Sequence, residues 1–79
     1  MAITVYSKPN CVQCKMTYRA LDSAGIAFTV IDMMEDANAL ELVKGLGFMA
    51  APVVVTEADA WGGFRPDKIK ELKAMLIAA

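Results

Sequence analysis

The stretch Ala2-Ile3-Thr4-Val5-Tyr6-Ser7-Lys8-Pro9-Asn10-Cys11-Val12-Gln13-Cys14 decides how the rest of the chain is read. Its first part, Ala2 to Tyr6, is a β-branched and aromatic run, the pattern of a strand buried on both faces. Ser7-Lys8-Pro9-Asn10 ends that run as a loop, and Asn10 is suited to cap a following helix. Residues 11–24 contain neither Gly nor Pro, Cys14, Tyr18 and Leu21 fall on one helical face, and Gly25 stands at a natural stop. A Cys-x-x-Cys pair therefore sits where a strand ends and a helix begins.

That position matters more than the spacing. In a first helical turn, residues i and i+3 share a face with Cα atoms roughly 5–6 Å apart, within the range a disulfide accepts. The pair can close and reopen with little backbone movement. As a structural crosslink it encloses almost no chain and removes little unfolded-state entropy. Structural disulfides favour longer loops and oxidising compartments, so a redox role explains the placement better. Cys11 lies closest to the unpaired N–H groups and positive dipole end of the helix, and Lys8 and Lys15 add positive charge. Such settings lower a thiol pKa from about 8.5 toward about 7 or below. Cys11 is then the attacking nucleophile, and the more buried Cys14 resolves the mixed disulfide.

Downstream, Ala27 to Ile31 reads as a second strand of the same buried type. Asp32, Glu35 and Asp36 precede a short helix with Leu40, Val43 and Leu46 inward and an end frayed by Gly45 and Gly47. Ala51-Pro52 interrupts before a third strand, Val53 to Val55. A tight turn at Thr56-Glu57 leads to a fourth, Ala58 to Trp61, which Gly62-Gly63 breaks. Pro66 and Asp67 suit the first turn of a last helix whose inner face is Ile69, Leu72 and Leu76. The order is β-α-β-α-β-β-α, an α/β chain whose first two strands are parallel and last two antiparallel. Residues 1–79 read as a single domain without repeat or linker.

Composition narrows the chemistry. With 57% hydrophobic and 22% charged residues, the 79-residue chain is not disordered, and a net charge of −1 offers nothing to nucleic acid or an anionic membrane. Having no histidine, it cannot build a Ser-His-Asp triad, a Cys-His pair or a histidine zinc site. Two cysteines cannot form a four-thiolate metal or iron–sulfur site in a monomer, although a dimer could pool them. The start of the chain lacks a basic stretch ahead of a long apolar run, and no run approaches about 18 residues, so a cytoplasmic protein is expected. The six methionines read as gap fillers, Lys68, Lys70 and Lys73 as a solvated face, and water or a carboxylate such as Asp59 as the candidate group that moves protons at Cys14.

Strand–Cys-x-x-Cys–helix, followed by Ala-Pro before a valine strand, resembles the thioredoxin fold, and the length is similar to glutaredoxins. Cys11-Val12-Gln13-Cys14, Ala51-Pro52-Val53-Val54-Val55 and Trp61-Gly62-Gly63-Phe64-Arg65-Pro66 together resemble the NrdH-redoxins over essentially the whole chain. The resemblance implies a four-stranded mixed sheet flanked by three helices. It also implies a monomer that donates electrons to class Ib ribonucleotide reductase and is reduced by thioredoxin reductase with NADPH. No cofactor is bound in that scheme beyond the Cys11–Cys14 redox disulfide. Pro52 matches the family's cis-proline, whose neighbouring backbone receives the substrate chain as an added strand. Lys8, Val12, Gln13, Ala51, Trp61, Gly63, Phe64 and Arg65 complete the implied partner-facing surface. Two positions depart from the family's pattern: Gly62 stands where Ser is common, and Ala50 where Gln is common. They bear on partner preference and leave the sulfur chemistry intact.

Two alternatives stand beside this reading. Gly62-Gly63 is similar to the glycine pair of glutathione-dependent glutaredoxins. However, Ala50-Ala51 and Phe64-Arg65-Pro66 replace the Thr-Val and the acidic, hydroxyl-bearing helix start that hold glutathione in that group. The other alternative is a dimer binding a metal or iron–sulfur cluster through Cys11 and Cys14.

Overall fold

The computed structural model describes residues 2–78, and the side chains of residues 2–76. Four strands, β1 (Thr4–Ser7), β2 (Thr29–Asp32), β3 (Val53–Val55) and β4 (Ala60–Gly62), alternate with three helices, α1 (Val12–Ser23), α2 (Ala37–Gly45) and α3 (Pro66–Ala78). They form one mixed sheet in the order β2-β1-β3-β4. β1 pairs with β2 in parallel and with β3 antiparallel, and β3 pairs antiparallel with β4.

The period of two along a strand explains why β1 and β3 are apolar throughout. Val5, Val54 and Trp61 lie in one cross-strand row and pack with Leu21 of α1 and with Ile69 and Leu72 of α3. Tyr6 and Val53, one residue out of phase, face the opposite side with Met33 and with Ala39 and Val43 of α2. Each central strand is covered on both faces. β2 departs from the expectation of a doubly buried strand: it is a sheet edge, and Thr29 and Val30 are exposed. An apolar run cannot reveal by itself whether a strand lies at the centre or the rim.

Local chemistry sets the helix ends. α1 stops in a Schellman turn, with Gly25 N–H on the Asp22 carbonyl and Ile26 N–H on the Leu21 carbonyl, both at 3.0 Å. α2 begins at Asp36, whose Oδ1 accepts Ala39 N–H at 3.1 Å. It does not fray. Gly47, at φ +91°, closes the same kind of motif, donating to the Lys44 carbonyl at 3.0 Å. Ala39 joins Val43 on the buried face of α2, while Leu46 at its C-cap and Leu76 near the end of α3 are exposed. The β3–β4 turn is longer than expected, running from Thr56 to Asp59. The Thr56 N–H donates to the Asp59 carbonyl at 2.8 Å, which delays β4 to Ala60. Among the described residues, no helix is long and apolar enough to cross a membrane.

Candidate redox site

Register brings the three sequence motifs to one end of the sheet. β1 ends at Ser7 just before the Cys-x-x-Cys segment, Val53 pairs with Tyr6, and Gly62 pairs with Val53. Ala51-Pro52, Gly63-Phe64 and Cys11 to Cys14 therefore share the C-terminal edge of β1. The Ala51–Pro52 peptide bond is cis. Gly63, at φ +82°, donates its N–H to the Pro52 carbonyl at 2.8 Å, and Phe64 N–H donates to Oε1 of Gln13 at 3.3 Å. Gln13 thus ties the helix start to the glycine turn, which is itself tied to the proline. Gln13→Met, which keeps length and removes the acceptor, is expected to cost about 1 kcal/mol of unfolding free energy. Urea denaturation measures it, and faster exchange of the Phe64 amide locates it.

Cys11 and Cys14 form a disulfide with Cα atoms 5.2 Å apart. Asn10 is not the cap of α1. It adopts φ +57°, a left-handed conformation that Asn tolerates, and so passes the capping position to Cys11. The Cys11 Sγ accepts Cys14 N–H at 3.2 Å. The sulfur itself is the helix cap, in contact with an N–H that stabilises negative charge, and no acidic residue occupies the first turn of α1. Cys11 is 8% exposed and Cys14 2%, so the outer sulfur belongs to the capping cysteine.

Around the disulfide, Lys8 and Gln13 are exposed, and Val12 is an apolar side chain 71% open to solvent. Ala51, Gly63 and Phe64 are half-buried, and Pro52 is buried. Trp61 is no partner surface: at 4% exposure it belongs to the α1–α3 face of the core. Arg65 is exposed, and its guanidinium is held by Asp67 through bonds of 3.0 and 2.8 Å. Asp59 cannot serve Cys14. Val55 pairs with Thr4, which places the Thr56–Asp59 turn at the opposite end of the sheet, where Lys68 binds Asp59 at 3.1 Å. The methionines are not all gap fillers: Met33 is buried, but Met34 and Met49 are exposed.

Both surface pairs shift their carboxylates. The hydrogen bond from Lys68 holds Asp59 below the usual carboxylate range, and that from Arg65 does the same for Asp67. A folded-state pKa depressed in this way contributes stability above the unfolded value and loses it as pH falls through the folded value. The stability gap between the native protein and an Asp59→Asn/Asp67→Asn variant is therefore expected to close between about pH 5 and pH 2. Thermal melts across that range measure it.

A four-stranded mixed sheet, three helices and a closed Cys-x-x-Cys at a helix cap beside a cis-proline define a thiol–disulfide oxidoreductase of the thioredoxin fold. Residues 3–60 match the Glutaredoxin family. The chain belongs to the NrdH-redoxins, the glutaredoxin-like branch of that family. It is 40% identical over 72 residues to glutaredoxin-like protein NrdH of Salmonella typhimurium, covering 91% of this chain and 89% of the relative. It is 44% identical over 70 residues to NrdH of Lactococcus lactis subsp. cremoris, covering 89% and 97%. The solved NrdH-redoxin of Escherichia coli superposes with a TM-score of 0.87 at 40% identity, covering 91% of this chain and 95% of that one. That relative is described as having a thioredoxin-like activity profile.

Proposed function

We propose that this protein is a dithiol electron donor in which Cys11 attacks and Cys14 resolves. The observation that carries the assignment is the capping geometry: the Cys11 sulfur receives a helix N–H and is the more exposed of the two. In the reduced protein the same N–H faces a thiolate, which favours Cys11 as the ionised thiol. The Cys11 thiolate attacks one sulfur of the partner disulfide, forming a mixed disulfide and releasing the partner's other sulfur as a thiolate. Cys14, deprotonated, then attacks the Cys11 sulfur, closing the internal disulfide and releasing the second partner thiol. Two electrons pass to the partner.

The likeness to the NrdH-redoxins supports the choice of partners in this reading. The electron acceptor is class Ib ribonucleotide reductase, and thioredoxin reductase restores the thiols with electrons from NADPH, in the cytoplasm. No resident cofactor takes part. Arg65 and the Gly63–Phe64 turn join Lys8, Val12, Gln13 and Ala51 at the docking face, and Trp61 supports that face from the core. The test is deoxyribonucleotide formation by a class Ib reductase supplied with NADPH, thioredoxin reductase and this protein, without added dithiol. Product is expected only when all three are present. Absence of product, with the protein still reducing other disulfides, removes the ribonucleotide reductase assignment.

A further inference from the structure

The charges of α1 run against its own dipole. A helix is stabilised by acidic residues in its first turn and basic residues in its last. α1 has neither. Its one acidic residue, Asp22, stands in the last turn, and its cations, Lys15 and Arg19, stand nearer the start. Residues 1–21 contain no Asp or Glu, in a chain whose net charge is −1. Lys15 and Arg19 are four positions apart, so the helix also sets two like charges side by side, which lowers its stability. Nothing nearby offsets these costs. Arg65 and Lys68 are paired with carboxylates, but among the described residues Lys15 and Arg19 make no ion pair. Breaches of local rules without a structural return gather at functional sites.

The same face is apolar where it meets the redox site. Val12, Met16 and Arg19 are exposed and recur at helical spacing, forming one outward stripe with Lys15 beside it. Val12 is 71% exposed and Met16 42%. The stripe begins at the residue after Cys11, on the side of α1 away from the buried Cys14, Thr17 and Leu21. A partner whose sulfur reaches Cys11 is thereby brought to the head of the stripe. Along the helix axis Lys15 lies about 6 Å and Arg19 about 12 Å from Cys11, at a rise of about 1.5 Å per residue. An extended chain advances about 6.6 Å in two residues, so its alternate side chains keep pace with Lys15 and Arg19.

We propose that the outer face of α1 docks an acidic segment of the partner protein, extended and carrying carboxylates at the second and fourth residues from the cysteine that Cys11 attacks. The carboxylates meet Lys15 and Arg19, and the apolar parts of the segment lie on Val12 and Met16. Such complementarity acts chiefly on the rate of encounter. The proposal rests on the dithiol-donor reading and adds to it the charge of the substrate segment and the helix face that receives it.

The test follows the pre-reduced protein in single turnover with two synthetic peptides, Glu-Ser-Glu-Ser-Cys-Ser-Glu-Ser-Glu and its counterpart with Lys in place of Glu. Each carries its cysteine as a mixed disulfide with mercaptoethanol, and the charges on both flanks cover either chain direction. Bis(2-hydroxyethyl) disulfide, small and neutral, reports the reactivity of Cys11 and normalises every variant. At low salt the acidic peptide is expected to react about fivefold faster than the basic one, the scale of two exposed charge pairs. Arg19→Gln is expected to cut that ratio to about twofold, and Lys15→Gln/Arg19→Gln to bring it near one. Ala58→Glu, exposed in the turn at the opposite end of the sheet, alters the net charge as much as Arg19→Gln and is expected to leave the ratio intact. Equal rates for the two peptides in the native protein overturn the docking proposal. So does a ratio that survives the double substitution, or one that falls as far in Ala58→Glu as in Arg19→Gln. Failure of the native protein with the neutral disulfide overturns the dithiol-donor reading on which the proposal rests.

Discussion

Cys11→Ser is expected to lower disulfide reduction to the uncatalysed background, whereas Cys14→Ser is expected to accumulate a covalent adduct with its partner. The first variant should remain folded. Serine is a strong N-cap, so its hydroxyl can accept the Cys14 N–H that the Cys11 sulfur accepts now. What is lost is the nucleophile: a hydroxyl is not ionised near neutral pH, and it cannot exchange with a disulfide. In Cys14→Ser the Cys11 sulfur, the outer of the two, can still attack, but no second thiol remains beside it to release the product. The mixed disulfide persists until an external thiol displaces it. Intact mass under non-reducing conditions distinguishes the outcomes. An adduct on Cys11→Ser, with none on Cys14→Ser, would reverse the two roles.

Trp61→Ala is expected to damage the fold far more than the docking of any partner. The side chain is 4% exposed and packs in the cluster formed by Val5, Val54, Leu21, Ile69 and Leu72. Emptying a buried tryptophan costs about 3–5 kcal/mol. Stabilities of about 0.05–0.15 kcal/mol per residue leave a chain of 79 residues roughly 4–12 kcal/mol in total. For domains of this size each kcal/mol is worth about 4–8 °C, so the midpoint should fall by tens of degrees. Trp61→Phe should be far milder, about 1–2 kcal/mol, because the indole N–H has no hydrogen-bond partner to lose. Calorimetry on both variants checks this. A Trp61→Ala protein melting within a few degrees of the native chain, but with weakened partner binding, would return Trp61 to the docking surface.

The parts legible in the sequence were those set by local chemistry. The β-branched run into Cys-x-x-Cys, Gly25 behind α1 and Pro66 at the start of α3 all hold in the structure. Most of what escaped depends on neighbours distant in sequence. Whether Thr29–Asp32 is central or peripheral depends on which strand lies beyond it, and nothing in its own residues records that. Gly47 looked like a breaker beside Gly45, yet a single positive φ makes it a cap. Trp61 sits in a motif whose resemblance suggests a surface role, and only the cross-strand row with Val5 and Val54 shows it to be core. Asp59 lies away from the sulfurs because topology, not residue type, puts the β3–β4 turn at the far end of the sheet.

The central claim, a dithiol donor fed by thioredoxin reductase and not by glutathione, is tested most directly by NADPH oxidation with a protein disulfide as acceptor. One arm contains thioredoxin reductase, and the other contains glutathione with glutathione reductase. Turnover confined to the thioredoxin reductase arm, and absent with Cys11→Ser, is the predicted result. Turnover confined to the glutathione arm would contradict the account and place the protein among glutathione-dependent glutaredoxins.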